Sequence, residues 1–377
     1  MKYAGSLIML TAITLAAVWP AGAEAAKWSL QSATVPSGAY SGVLTDISCG
    51  SAKACMAVGS YDDYFLPFAD EEEAGTWTVR SMVTPTGATE AEALGVSCFS
   101  KTACMAVGVA NSTADPAFAE FWNGTSWAVQ SPIEPSGATL DSVSCIRAYA
   151  CYAVGAYIEA GKVVPLAEFR SGSEWVKLKA FNPTGSEFAW LKSVSCTYGA
   201  LYTCTAVGVY HAGGVVKPLA ERYNGHEWSS VSTVNPTGSA SAEFSRVSCY
   251  GVNECLAVGT YETSSATKTL IERLGPTLTS LESSTNGGTA STTLKGVSCP
   301  TSESCLAVGF IGAGTEPFSE HSIAHEGKEW ANISTPSQPS TVDNELESVS
   351  CSAASVCVAV GQYFSSGEEH PLAEGYE

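Results

Sequence analysis

Apolar residues in this chain come in short runs of β-branched and aromatic side chains, each bounded by Gly, Pro, Ser, Thr or Asn. Runs of this kind predict strands joined by tight turns. After residue 25 no stretch carries the 3.6-residue period of an amphipathic helix. Residues 140–145 and 151–157 predict a hairpin and 164–169 a third strand. Ser171-Gly172-Ser173 then turns the chain into a fourth strand beginning at Trp175.

That four-strand pattern recurs seven times. Its first landmarks are Cys49, Cys98, Cys145, Cys196, Cys249, Cys299 and Cys351, spaced 47 to 53 residues apart. A second cysteine follows each after six residues (Cys55, Cys104, Cys151, Cys255, Cys305, Cys357) or after eight (Cys204). The shared text is roughly W-x-V…P-T-G…L-x-x-V-S-C-x5-C-x-A-V-G-x-Y…P-L-A-E…N-G-x-x-W. Repeats of this length mark solenoids, propellers or arrays, and four antiparallel strands in about 50 residues match a propeller blade. The ends of the chain choose among these. The last copy stops after its third strand, at Pro371-Leu372-Ala373-Glu374, while an orphan Trp strand, residues 27–32, precedes the first copy. Joined, they complete one blade and protect the sheet edges that an open array would expose. The expected fold is an all-β, seven-bladed β-propeller with four antiparallel strands per blade, its ring closed by the N-terminal strand.

Residues 1–25 read as a signal peptide: Lys2, an apolar stretch from Leu7 to Val18, and small-x-small sites at Ala21-Gly22-Ala23 and Ala23-Glu24-Ala25. The stretch is too short to span a bilayer comfortably. A secreted, extracellular protein is expected, with residues 26–377 as a single domain. Outside the cytoplasm cysteines persist as disulfides. Each pair brackets a short loop within its own copy, giving Cys49–Cys55, Cys98–Cys104, Cys145–Cys151, Cys196–Cys204, Cys249–Cys255, Cys299–Cys305 and Cys351–Cys357. Closing such a loop removes about 2.4 kcal/mol of unfolded-chain entropy. Zinc fits poorly, because C-x5-C lacks the usual spacing and nearby His pairs.

Positions present in every copy build the scaffold. Ser48, Ser97, Ser144, Ser195, Ser248, Ser298 and Ser350 precede the first cysteines, and Asp70, Glu120, Glu168, Glu221, Glu272, Glu320 and Glu374 recur in the third strand. Partly buried carboxylates need hydrogen-bond donors, here a Ser hydroxyl, a Trp indole or a backbone N–H in or beside the blade. Trp77, Trp127, Trp175, Trp228 and Trp330 open the fourth strands, with Leu278 in that slot of the fifth copy. Packing between blades is their expected role. The repeated Ala-Val-Gly of the second strand suits tight stacking.

The V-S-C-x5-C-x-A-V-G…L-A-E…N-G-x-x-W unit resembles a group of largely uncharacterised secreted repeat proteins of high-GC Gram-positive bacteria. The resemblance covers essentially the whole chain after residue 25, and it implies a propeller and export but no activity or catalytic residues. The longer cysteine loop of the fourth copy and the missing Trp of the fifth depart from the pattern.

Function should then lie where the copies differ. The variable loops carry Asp62-Asp63-Tyr64, Asn111 to Asp115, Glu159, Lys162, His211, Lys217 and Glu368-Glu369-His370. The starts of the innermost strands line the mouth of a central channel with Asp46, Asp141, Lys192, Arg246, Lys295 and Glu347, and Trp190 stands beside them. These seven are the candidate ligand-binding residues; mixed charges there suit a polar ligand or ordinary surface ion pairs. The formal net charge of −19 disfavours nucleic acid and anionic membranes. His211, His226, His321, His325 and His370 are scattered, and Asp70-Glu71-Glu72-Glu73 lacks a framing calcium loop. No metal, cofactor or catalytic residue is assigned. The reading is a monomeric, non-catalytic extracellular module for a glycan or protein. Its alternative is a polysaccharide hydrolase or lyase using two of Asp46, Asp141 and Glu347.

Overall fold

The computed structural model describes residues 26–62, 65–112, 116–133, 135–199, 201–276, 279–282, 291–312, 316–322 (backbone only), 330–336, 338 and 343–377. The expected signal peptide, Leu278 and the side chain of Glu320 lie outside the described residues. All described elements are strands, and among the described residues no helix is long and apolar enough to cross a membrane.

The strands fall into seven antiparallel meanders, within 42–81, 91–130, 139–178, 188–230, 241–281, 292–332 and 343–376. The first six hold four strands each. The last holds three, and the N-terminal strand Trp28–Gln31 supplies its fourth, pairing antiparallel with Glu368–Tyr376 through Trp28↔Tyr376 and Leu30↔Glu374. Hydrogen bonding gives six open sheets rather than the seven expected. A single parallel bridge, Val163↔Phe188, joins the third and fourth units into one eight-stranded sheet. The bridge lies at the starts of the two strands, Lys162–Ser171 and Phe188–Tyr198.

The core is divided among the interfaces between units. Met56, Val58 and Ala69 of the first unit pack on Ala93, Val96 and Trp127 of the second, and equivalent clusters join each unit to the next. Val358, Val360 and Ala373 of the last unit pack on Leu44, Ile47, Phe68 and Trp77 of the first. Burying apolar side chains at about 25 cal/mol per Å² is the main force holding units together.

Polar contacts follow the same order. The hydroxyls of Ser48, Ser97, Ser144, Ser195, Ser248 and Ser298 accept the backbone N–H of Cys98, Cys145, Cys196, Cys249, Cys299 and Cys351 in the following unit, at 2.9–3.0 Å. Ser350 accepts the N–H of Cys49 at 3.0 Å, returning from the last unit to the first. The Ser hydroxyls therefore bind cysteine amides and not the repeated carboxylates. Five of those carboxylates take a backbone N–H from the connector that follows the preceding fourth strand. Thr34 donates to Asp70, Val83 to Glu120, Ile133 to Glu168, Phe181 to Glu221 and Val234 to Glu272, at 2.8–3.1 Å for the shortest bond of each pair. The described carboxylates are more deeply buried than expected, at 0–1% exposure. Burial raises their pKa, to about 7 for Asp70, Glu120 and Glu272 and to about 8 for Glu221 and Glu374.

Seven disulfides join the first and second strands, from Cys49–Cys55 to Cys351–Cys357, each within one unit. Trp28, Trp77, Trp127, Trp175, Trp228 and Trp330 are all buried.

Candidate functional site

A backbone irregularity shared by every unit builds the site. In each first strand the register slips by one residue four positions before the first cysteine, between Leu44 and Asp46, Ala93 and Gly95, Leu140 and Ser142, Leu191 and Ser193, Phe244 and Arg246, Leu294 and Gly296, and Leu346 and Ser348. A β-bulge re-aims the side chain of its extra residue. The bulged residues are Thr45, Leu94, Asp141, Lys192, Ser245, Lys295 and Glu347, whereas the residue before each is fully buried in the core.

The glycine of Ala-Val-Gly lies opposite that buried residue. A Cβ on Gly59, Gly108, Gly155, Gly208, Gly259, Gly309 or Gly361 would lie 1.9–2.1 Å from a first-strand carbonyl oxygen. No side chain fits there.

The seven bulged residues, and in five units the residue two positions earlier, converge on a cavity of about 640 Å³ to which all seven units contribute. Of the candidates named from sequence, Asp141, Trp190, Lys192, Arg246, Lys295 and Glu347 line it together. Asp46 does not. It is buried, one step deeper, and accepts the Ser348 hydroxyl (2.6 Å), the Val96 N–H (2.9 Å) and the Arg246 guanidinium (3.1 Å). Asp46 thus sits in a buried shell of donors rather than in the cavity lining.

The remaining charges are partly paired. Lys192 Nζ lies 3.0 Å from Glu243 Oε2, and Lys295 Nζ lies 3.3 Å from Glu347 Oε2. Asp141 Oδ2 accepts the Trp190 indole N–H and the Thr139 hydroxyl, both at 2.9 Å. Burial nevertheless lifts the Asp141 pKa to about 6, against the pull of those hydrogen bonds and of Lys192, with Glu92 adding a like charge. The Glu92 pKa is also raised, by burial and then by Glu347.

Glu92 and Glu243 were not singled out in the sequence; they stand six residues before the first cysteine, two before the bulge, in the same register as Trp190. The signal that locates them is the register set by the Ala-Val-Gly glycine, which pairs one residue later in all seven units. The variable-loop candidates do not join the cavity. His211 pairs with Glu187 at 2.7 Å, Glu159 accepts the Tyr157 hydroxyl, Lys162 donates to the Ser186 carbonyl and His370 stacks near Tyr363. Asp62 accepts the Tyr40 N–H, while residues 63–64 and 113–115 lie outside the described residues. Among the described residues no group of three or more His, Cys, Asp or Glu is placed to hold a metal ion.

No family model and no curated protein matches this chain. Its fold, however, is that of solved β-propellers. YCF48 bound to D1 peptide superposes with a TM-score of 0.58 at 13% identity, covering 93% of this chain and 94% of that one. YCF48 from Cyanidioschyzon merolae gives 0.57 at 14% identity, covering 93% and 98%. A polysaccharide lyase, an ulvan lyase, gives 0.56 at 9% identity, covering 93% of each chain.

Proposed function

We propose that this protein is an exported binding module: a closed ring of seven blades, led out of the cell by residues 1–25, that holds a polar extracellular ligand in its central cavity. The ring reading rests on the Ser350–Cys49 hydrogen bond, the pairing of Trp28–Gln31 with the last meander and the core cluster between last and first units. Seven disulfides fit an oxidising compartment.

One observation carries the functional reading. The positions that repeat hold the scaffold, whereas those that differ between units meet in one 640 Å³ cavity, a size suited to a small ligand or the end of a chain. The similar folds of a YCF48 bound to D1 peptide and of a polysaccharide lyase fit a peptide or glycan ligand. The test is a glycan array and protein capture with the purified domain, beside a Thr293→Trp variant that fills the cavity. Binding by the parent that Thr293→Trp loses, at an unchanged Tm, supports the reading. Binding indifferent to Thr293→Trp overturns it.

A hydrolase or lyase using two of Asp46, Asp141 and Glu347 loses ground, because Asp46 is tied to Arg246 and Glu347 to Lys295. Glu92 with Asp141 is the carboxyl pair left to it, and product release from a polysaccharide screen that Glu92→Gln abolishes would restore it.

A further inference from the structure

Charge in the central cavity is lopsided once its contacts are counted. Each cationic side chain that lines it already has a carboxylate: Lys192 has Glu243 at 3.0 Å, Lys295 has Glu347 at 3.3 Å and Arg246 has Asp46 at 3.1 Å. Glu92 and Asp141 also line it, on adjacent units, and no cation lies within ion-pair distance of either among the described residues. Asp141 has only the neutral donors Trp190 and Thr139, both on Oδ2, so Oδ1 is open to a further donor. The Glu92 carboxylate makes no side-chain hydrogen bond within the described chain, although its backbone pairs with Val109 in the strand ladder. The rest of the lining is hydroxyl and amide, from Thr45, Ser245, Thr260, Thr293 and Gln362, with aliphatic Val43, Leu44 and Leu94, and Trp190 is its one aromatic residue among the described residues.

We infer that the ligand is a sugar bearing a free primary ammonium, held by Glu92 and Asp141 while its hydroxyls meet the polar wall. This inference rests on the central-cavity reading. A neutral sugar would leave Glu92 with no ion-paired cation and Asp141 with only the longer-range pull of Lys192, which Glu243 already pairs, and an acidic sugar would add a further like charge. An ammonium supplies three donors to two carboxylates that have no ion-pair contact, and charge-assisted bonds are the strong ones. A polyhydroxylated ring satisfies the hydroxyls and amide around it, and Trp190 presents an amphipathic side wall.

The experiment is calorimetric titration at pH 6 and low ionic strength with a glucosamine tetramer, its N-acetylated counterpart and a galacturonate tetramer. The free-amine tetramer is expected to bind at least 10-fold more tightly than the other two. Glu92→Gln and Asp141→Asn each weaken it at least 10-fold. Lys192→Gln strengthens it, because Glu243 is then released into the cavity. Glu92→Gln keeps the test available if Asp141→Asn does not fold. Equal or tighter binding of the N-acetylated or acidic tetramer, lost in Thr293→Trp, overturns the ammonium assignment and leaves the cavity as the site. Absence of any tetramer binding that Thr293→Trp removes also overturns it. A different array ligand lost in Thr293→Trp would then uphold the broader reading alone.

Discussion

Arg246 Nη2 stands 3.1 Å from Asp46 Oδ1, an ion pair between the fifth unit and the first. Both occupy the same place in the repeat, three residues before the first cysteine. The other units put Gly95, Ser142, Ser193, Gly296 and Ser348 there. Small residues in five units leave room in the middle for the long guanidinium and its carboxylate partner. The Ser348 hydroxyl and the Val96 N–H complete the shell of Asp46. Replacing Arg246 by Met is expected to cost about 3 kcal/mol, because it leaves a buried carboxylate without its cation. Thermal unfolding of Arg246→Met, Asp46→Asn and the double variant checks this. The double variant should be more stable than the sum of the single losses predicts, and one that simply adds them would refute the pairing.

The N-terminal strand is the second lever. Trp28 is buried in the cluster with Leu346, Leu372 and Tyr376, its ring 5.2 Å from that of Tyr376. Trp28→Ala is expected to destabilise by about 4 kcal/mol, as for other buried Trp truncations. Losses should concentrate in amide protection of residues 368–376, read by hydrogen exchange. Uniform loss across all units would instead mean that the strand does not serve the last meander.

At Gly155 a Cβ would lie 2.0 Å from the Thr139 carbonyl and 2.9 Å from Asp141 Oδ2. Gly155→Ala must push the first two strands of its unit apart beside the cavity. A loss of about 3 kcal/mol is expected, together with weakened ligand binding, since the bulge that aims Asp141 is disturbed. Gly161, a turn glycine with φ +78° and nothing near its absent Cβ, is the control. Ala there strains the backbone yet leaves the cavity alone.

Much of the architecture was legible because it is written seven times. Cysteine spacing located the hairpins, and the unmatched ends located the pairing of Trp28–Gln31 with the last meander. What the repeat could not convey was contact across units. The serine hydroxyls hold the next unit's cysteine amide, and the third-strand carboxylates hold a connector amide about 35–40 residues away, neither of which local spacing encodes. The cavity residues Asp141 and Trp190 were found from strand position, but Glu92 was not. Glu92 shares the register of Trp190, two residues before the bulge, but a lone carboxylate at a strand start reads as an ordinary solvated charge, whereas a Trp there stands out by residue type.

Glu374 differs from its counterparts for a reason visible in one residue. The amide donor to each buried carboxylate is the residue six after a fourth-strand Trp: Thr34 after Trp28, Val83 after Trp77, Ile133 after Trp127, Phe181 after Trp175 and Val234 after Trp228. Six after Trp330 comes Pro336, which has no N–H to give. Both Glu374 oxygens are buried without a hydrogen-bond partner, and burial alone raises the pKa to about 8. Such a group is protonated in both states below the unfolded carboxyl range. As pH rises toward 8 the unfolded chain ionises first, so it binds fewer protons than the folded one and stability falls. The slope approaches about 1.4 kcal/mol per pH unit for this one group, and the loss is complete once pH passes the folded value. Glu374→Gln should remove that slope. Pro336→Ala should restore the missing donor, lower the Glu374 pKa and raise stability at pH 9 by about 1–2 kcal/mol. Urea unfolding of the three proteins from pH 5 to pH 9 measures it. A Pro336→Ala curve that overlies the parent at every pH would show that this proline is not what leaves the carboxyl unpartnered.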